Sequence, residues 1–126
     1  MAGKLSPQAQ IKLATLRDME KKVDHVRGLV EQYAVARGKN ADLLAIPIKR
    51  AFNRLKLDLM GVGLDSLSQL AGSMEMAARG GGSQHKKARI LRDGVGTMVF
   101  QVSLEQRTTV SEDQRQQEKA AADDTG

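Results

Sequence analysis

Residues 16–33 read LRDMEKKVDHVRGLVEQY, and the apolar residues in this stretch recur at alternating steps of three and four. On an α-helix this spacing places them in one narrow stripe, while the charged residues between them occupy the other faces. Because such a pattern arises where a single stripe is removed from water, we predict that it is buried against another helix of the chain or against a copy of itself. This stripe, called the 16–33 seam below, consists of Leu16, Met19, Val23, Val26, Val30 and Tyr33.

Residues typical of helix ends set the limits of the helix that carries this seam. Ser6 is a suitable N-cap, and Pro7 suits the first helical position, where its missing N–H leaves no bond unmade. Gly38 is typical of the residue that follows a helix. We therefore predict a first helix over about residues 7–37.

A similar three-and-four spacing continues over residues 48–74 and predicts a second, longer helix over about 41–79. Pro47 predicts a kink or a restart near its beginning. Gly61 and Gly63 in its middle predict a bend or a close helix contact, since each glycine costs a helix ~1 kcal/mol relative to alanine. The triple glycine that follows predicts a loop.

Residues 90–104 fit two interpretations. Leu91, Val95 and Val102 fit one face of a helix, whereas the alternation of apolar residues after Met98 fits a strand. We favour a third helix over about 84–108, because a single hairpin beside two long helices would have no further strand to pair with.

The last part of the chain is polar. Thr108, Thr109 and Val110 predict an end to the third helix, and Ser111 resembles the N-cap of a short capped helix that frays into a flexible tail over 111–126. The predicted fold class is therefore all-α, a three-helix antiparallel hairpin or bundle with two long helices, formed as a single domain by residues 1–110.

Composition excludes several classes of function. The 126 residues include 20 Lys or Arg against 15 Asp or Glu, a formal net charge of +5, and no cysteine. The absence of cysteine excludes a disulfide scaffold, a thiol nucleophile and a Cys-ligated zinc site. Only three residues are aromatic, too few for base stacking on single-stranded nucleic acid. No segment approaches the ~18 apolar residues of a membrane span, so we predict a cytoplasmic protein.

Residues that could carry out chemistry are sparse. His25 and His85 have no second ligand at a spacing that would hold a metal, and no Glu-x-x-His motif occurs. The glycine loop at 80–82 lacks the P-loop pattern and has no predicted strand before it. We therefore predict a protein without enzymatic activity, with no catalytic residue, no cofactor and no metal.

Apolar residues outside the main spacing of the second helix point to a partner. Leu57, Met60 and Leu64 lie off that spacing, so another chain is expected to cover part of this surface. The leading hypothesis is an assembly or adaptor protein that self-associates or docks onto a larger complex through helix packing. Its predicted protein interface consists of the 16–33 seam (Leu16, Met19, Val23, Val26, Val30 and Tyr33) together with Leu57, Met60 and Leu64.

Two basic clusters support an alternative, an RNA- or DNA-associated helical protein that contacts phosphates. If the second and third helices are antiparallel, the clusters would lie about 40 Å apart at ~1.5 Å per residue, a weaker footprint than a single basic stripe. Solvated charge is the competing explanation for both. The first cluster is Lys49, Arg50, Arg54 and Lys56, and the second is Lys86, Lys87, Arg89 and Arg92.

Overall fold

The computed structural model describes residues 4–125, with side chains up to Ala122, and this part of the chain is all-α. It contains four helices joined by connections of three or four residues, so successive helices run antiparallel as in an up-and-down bundle. Both α1 and α3 pack on α2 and on α4, which places α2 and α4 at opposite corners of the bundle. The helices are α1 (Pro7–Val35), α2 (Lys39–Gly61), α3 (Asp65–Arg79) and α4 (Gln84–Thr125).

The 16–33 seam lies in the centre of this bundle, and its predicted burial is confirmed. Each of its six side chains is at most 5 % exposed, and the same cluster contains Phe52 from α2, Ala71 from α3 and Met98 from α4. All four helices therefore contribute to one apolar core. Ser6 caps α1 as predicted, because its hydroxyl accepts a hydrogen bond from the backbone N–H of Ala9 at 3.2 Å.

The single second helix predicted over 41–79 is wrong, and with it the count of three helices. The chain reverses at residues 62–64, where Gly63 adopts φ +76°, a left-handed conformation that L-residues rarely adopt. The N–H of Gly63 donates to the Met60 carbonyl at 3.1 Å, and the N–H of Leu64 donates to Leu59 at 3.0 Å. These bonds satisfy the last carbonyls of α2 and send α3 back alongside it.

The helical interpretation of residues 90–104 is confirmed, but the predicted end of the third helix near 108 is wrong. α4 continues to Thr125 without a break, so no separate helix is capped at Ser111, and Gly126 lies outside the described residues. The hydroxyl of Thr109 donates to the Glu105 carbonyl at 2.7 Å, so this threonine is satisfied within the helix.

The continuation of α4 packs on the beginning of α1. Asp113 accepts hydrogen bonds from the Ser6 hydroxyl at 2.5 Å and from the Ser6 backbone N–H at 2.9 Å. These two bonds stabilise the carboxylate and hold the pKa of Asp113 below its ordinary value. The same residue that caps α1 therefore also fixes α4 against it.

Burial of the seam predicts a large effect of a charge placed in it. We expect Val26→Asp to remove several kcal/mol from the free energy of unfolding, which is ~5–15 kcal/mol for a typical domain. His25→Asp is the matched control, because it introduces the same residue one position away on an exposed site. Urea denaturation followed by circular dichroism measures both, and a parental midpoint for Val26→Asp would contradict the burial of the seam.

The reversal at Gly63 predicts a second pair of stability changes. Gly63→Ala should destabilise the protein by about 1 kcal/mol, because a left-handed conformation costs an L-residue roughly 1–2 kcal/mol. Gly61→Ala, in the last turn of α2 where an added Cβ meets nothing within 4 Å, should leave stability unchanged or raise it. Thermal unfolding distinguishes the two, and equal midpoints would show that the left-handed turn is not under strain.

Candidate docking surface

The structure divides the predicted interface residues into two groups. The 16–33 seam and Leu64 are covered by the chain's own helices, so they cannot contact a partner while the bundle is folded. Leu57 and Met60 are 56 % and 58 % exposed on α2. Only these two of the predicted interface residues therefore remain on a surface that a partner can reach.

Leu57 and Met60 belong to a longer row of exposed side chains that runs along the outer side of α2. The row repeats at steps of three and four, the spacing that keeps residues on one side of a helix, so it forms a second stripe directed away from the core. Its two ends are apolar and its centre is polar. This row, called the α2 stripe, consists of Leu43, Ile46, Arg50, Asn53, Leu57 and Met60.

Sequence reasoning missed Leu43 and Ile46, although the signal was present. Counting back from Met60 in steps of three and four leads to both residues. Pro47 obscured this pattern, because it predicted a kink or a restart of the helix directly after these residues. In the structure Pro47 lies inside a continuous α2, so residues on both sides of it share one helix face.

A groove of about 390 Å³ runs between α1 and α2 beside the stripe. Ala51 is half-buried at its floor, above the buried Val26 and Leu55, and the other lining residues are His25 and four Lys or Arg side chains. The rim consists of Lys21, Lys22, His25, Arg50 and Arg54. A basic rim of this kind fits an acidic ligand.

The cations of this groove differ in their pairing. The Lys22 ammonium lies 2.8 Å from Asp58 and 3.0 Å from Asp18. Both contacts raise the pKa of Lys22, and the hydrogen bond to Asp58 has the larger effect. Lys21, Arg50 and Arg54 form no ion pair with any residue that the structure describes. These three charges are therefore available to an acidic partner.

A second groove of about 410 Å³ lies on the other side of the stripe, between α2 and α3. Lys49, Arg50 and Arg79 contribute its positive charge, with Ile46 and Asn53 between them. Arg50 lines both grooves, so the stripe is flanked by basic residues on either side.

A buried carboxylate anchors α2 to α3 below this second groove. Glu75 is 6 % exposed, and its oxygens lie 3.0 Å from Arg79 and 3.5 Å from Lys56. The Ser68 hydroxyl adds a 3.0 Å bond to the Lys56 carbonyl. Lys56 and Arg79 are thus partly neutralised, whereas Lys49 and Arg50 have no ion-pair partner in the described part of the chain.

The second basic cluster lies on the first turns of α4, and one of its residues, Arg92, is paired with a carboxylate of α1. The Arg92 guanidinium makes two hydrogen bonds to Glu31 of α1, at 2.7 and 3.0 Å, which raise the pKa of Arg92 and lower that of Glu31. The Ser83 hydroxyl accepts from the Lys86 N–H at 3.1 Å, so Ser83 caps α4.

The expected separation of about 40 Å between the clusters rested on one helix over 41–79, and it does not hold. Because α3 runs back along α2, Lys49 lies beside Arg79, which is joined to the beginning of α4 by a four-residue connection. The two clusters therefore lie in the same half of the bundle, on helices at opposite corners.

Other kinds of site find little support among the described residues. These residues contain no group of three His, Cys, Asp or Glu side chains that could hold a metal ion. None of the described helices combines the length and the apolar character needed to cross a membrane. Comparisons with known protein families, with curated proteins and with solved structures found no match to this chain.

The ion pairs of Glu75 with Lys56 and Arg79 predict that stability depends on the negative charge of Glu75. Glu75→Gln keeps the size of the side chain but removes the charge that two cations share, and we expect a loss on the order of 1–3 kcal/mol. Glu112→Gln makes the same change at an exposed position of α4 and should have little effect. Urea denaturation compares the two, and equal stability of both variants would show that the bridge contributes nothing.

Proposed function

We propose that this chain is an adaptor protein without enzymatic activity, which docks a helix of a partner protein along the α2 stripe. The observation that carries the proposal is the α2 stripe itself, a row of exposed side chains at three-and-four spacing with an apolar pair at each end, Leu43 with Ile46 and Leu57 with Met60. Monomeric proteins scatter exposed apolar residues singly, whereas a row at this spacing is the pattern that another helix recognises.

The length of the stripe sets the size of the partner segment. From Leu43 to Met60 the stripe spans 17 helical steps, about 26 Å at ~1.5 Å per residue. A partner helix of about five turns would cover it. Its apolar residues would contact Leu43 and Ile46 at one end and Leu57 and Met60 at the other.

The cations at the centre of the α2 stripe indicate which residue types the central turns of the partner helix would carry. Lys49, Arg50 and Arg54 flank the centre of the stripe and have no ion-pair partner among the described residues. Covering them with an apolar or basic segment would bury or oppose unpaired positive charge, which is unfavourable. Asp or Glu residues in the central turns of the partner would instead pair with them.

A synthetic peptide tests this proposal. The probe is an 18-residue amphipathic helix with Leu at three-and-four spacing in its outer turns and Glu in its central turns, labelled with a fluorophore. Fluorescence anisotropy should show binding of this peptide, and a version with Lys in place of Glu should bind at least tenfold more weakly. Leu57→Glu in the protein should reduce binding by a similar factor, because it places a carboxylate within the apolar end of the stripe.

Ile11→Glu is the matched control for Leu57→Glu. Ile11 is 64 % exposed on α1, outside the stripe, so the same substitution at similar exposure should leave peptide binding unchanged. Equal binding of the acidic and basic peptides, or equal loss with both protein variants, would contradict docking on the α2 stripe.

A nucleic-acid-binding function is the second candidate, and one observation favours it. Arg50 lines both grooves, so the first basic cluster joins Lys21 and Lys22 on one side and Arg79 on the other, in place of an isolated patch. RNA and DNA duplexes serve as a third arm of the same assay. Contacts to phosphate would make their binding fall steeply with salt, and replacing Arg50 and Arg54 by Ala would flatten that slope. Binding of the duplexes with such a slope, and not of the acidic peptide, would favour this second function.

A further inference from the structure

The outer side of α4 carries a second exposed surface, which differs from the α2 stripe in shape and in charge. Asp93, Phe100 and Arg107 are spaced seven residues apart, so they lie in line on one side of the helix, two turns from each other. This side faces away from the core residues of α4, Val95 and Met98 among them. Phe100 is 63 % exposed, although it is one of only three aromatic residues in the chain.

Gly96, next to this line, packs against none of the residues that the structure describes. A glycine inside a helix is destabilising relative to alanine, so its presence calls for a reason. Gly94 has one, because a Cβ at that position would meet the Met74 sulfur of α3 at 1.9 Å. A Cβ on Gly96 would meet nothing within 4 Å, and the residue is exposed. Small residues let another helix come close, and Ser103, two turns further along the same flank, is also small.

The opposite flank of the line is larger and apolar. Leu104 is exposed there, and Thr97, two turns before it, presents its methyl group because its hydroxyl donates to the Asp93 carbonyl at 3.0 Å. The side chains of Thr97 and Leu104 therefore project further from α4 than those of Gly96 and Ser103. We call these two sides of Phe100 the raised flank and the low flank.

Between residues 93 and 107 this surface carries one carboxylate and one guanidinium, and the exposed Lys86 and Arg89 lie on the same side nearer the beginning of α4. Neither the Asp93 carboxylate nor the Arg107 guanidinium forms an ion pair with any residue that the structure describes. They have opposite sign and lie at equal distances on either side of Phe100. A two-fold axis through Phe100 would therefore bring each carboxylate opposite an arginine of a second copy. A parallel arrangement would instead bring like charges together, so the charges select the antiparallel one.

We propose that two copies of this chain associate through the outer side of α4, antiparallel, about a two-fold axis at Phe100. The two Phe100 rings pack on each other at the axis, and Asp93 of each copy pairs with Arg107 of the other. Leu104 contacts Thr97 of the second copy on the raised flank, and Gly96 lies opposite Ser103 of the second copy on the low flank. Every contact occurs twice or lies on the axis, as an isologous interface requires.

The size of this surface predicts how tightly the copies associate. One helix against one helix is at the low end of protein interfaces, so we expect a dimer that dissociates on dilution, with a dissociation constant on the order of 1–100 μM. Since α2 lies at the opposite corner of the bundle, the dimer leaves the α2 stripe of both copies exposed. The inference does not rest on the proposed docking function.

Charge reversal tests the arrangement in sedimentation velocity over a rising concentration of the full chain. The parent should pass from monomer towards dimer. Asp93→Arg and Arg107→Asp should each weaken association at least tenfold, because each brings two like-charged pairs together. An equimolar mixture of the two variants should dimerise again, and so should the double variant, because both restore opposite charges across the axis.

Control experiments distinguish a specific loss of dimerisation from unfolding and from a general effect of changed net charge. Circular dichroism should show the parental helix content in every variant. Asp24→Arg reverses a charge on an exposed position of α1 and should dimerise like the parent, as should Leu57→Glu on the α2 stripe. A parent that stays monomeric at all concentrations, single variants that dimerise like the parent, or a mixture that stays monomeric would each overturn the proposal.

Discussion

The left-handed backbone at Gly63 is the constraint on which this structure depends. An unbroken helix over residues 41–79 would be nearly 60 Å long, whereas α1, with 29 residues, spans about 44 Å. Such a helix would extend beyond α1 and leave part of its apolar face in water. The reversal at residues 62–64 divides it into two shorter helices that both face the core. The 16–33 seam is then covered by α2 and α4, and α3 closes the remaining side of the bundle.

The same reversal determines what the surface of α2 can do. It turns Leu64 into the core and leaves Leu57 and Met60 outside, although all three stand off the main spacing of that segment. It also places Glu75 against Lys56, so that part of the first basic cluster is neutralised within the chain. In the described part of the chain, the members of this cluster that have no ion-pair partner are Lys49, Arg50 and Arg54, around the centre of the α2 stripe.

Spacing along the sequence predicts which residues share a helix face, and this part of the fold was accessible without a structure. The seam on α1 follows from it, whereas the cap at Ser6 follows from residue type and the helix over 90–104 from the lack of a further strand that a hairpin could pair with. Spacing does not tell whether a buried stripe meets another helix of the same chain or a second chain. The 16–33 seam was therefore included among the partner contacts, although the chain's own helices cover it.

Local sequence could not predict whether the backbone at a glycine pair continues a helix or ends it. Gly-Val-Gly occurs at 61–63 and at 94–96, and the first copy ends a helix whereas the second lies inside one. At 94–96 the side chain of Met74 fills the space beside Gly94, and Val95 is buried, so packing on α3 favours a continuous helix. Comparable glycines therefore have opposite outcomes, because contacts distant in sequence decide between them.

The two outward surfaces of the bundle differ in the partner that each can accept. Two α2 stripes brought together would place the unpaired cations of both copies side by side, and this repulsion opposes self-association there. On either side of Phe100 the outer side of α4 carries Asp93 and Arg107 in symmetric positions, so a second copy would pair both charges, whereas an acidic helix covering the same turns would be repelled by Asp93. Charge thus distinguishes the two proposed roles, a foreign acidic helix on α2 and a second copy of the chain on α4. Because these helices occupy opposite corners, both surfaces can be occupied at once, and a dimer would present two docking sites to one elongated or multivalent partner.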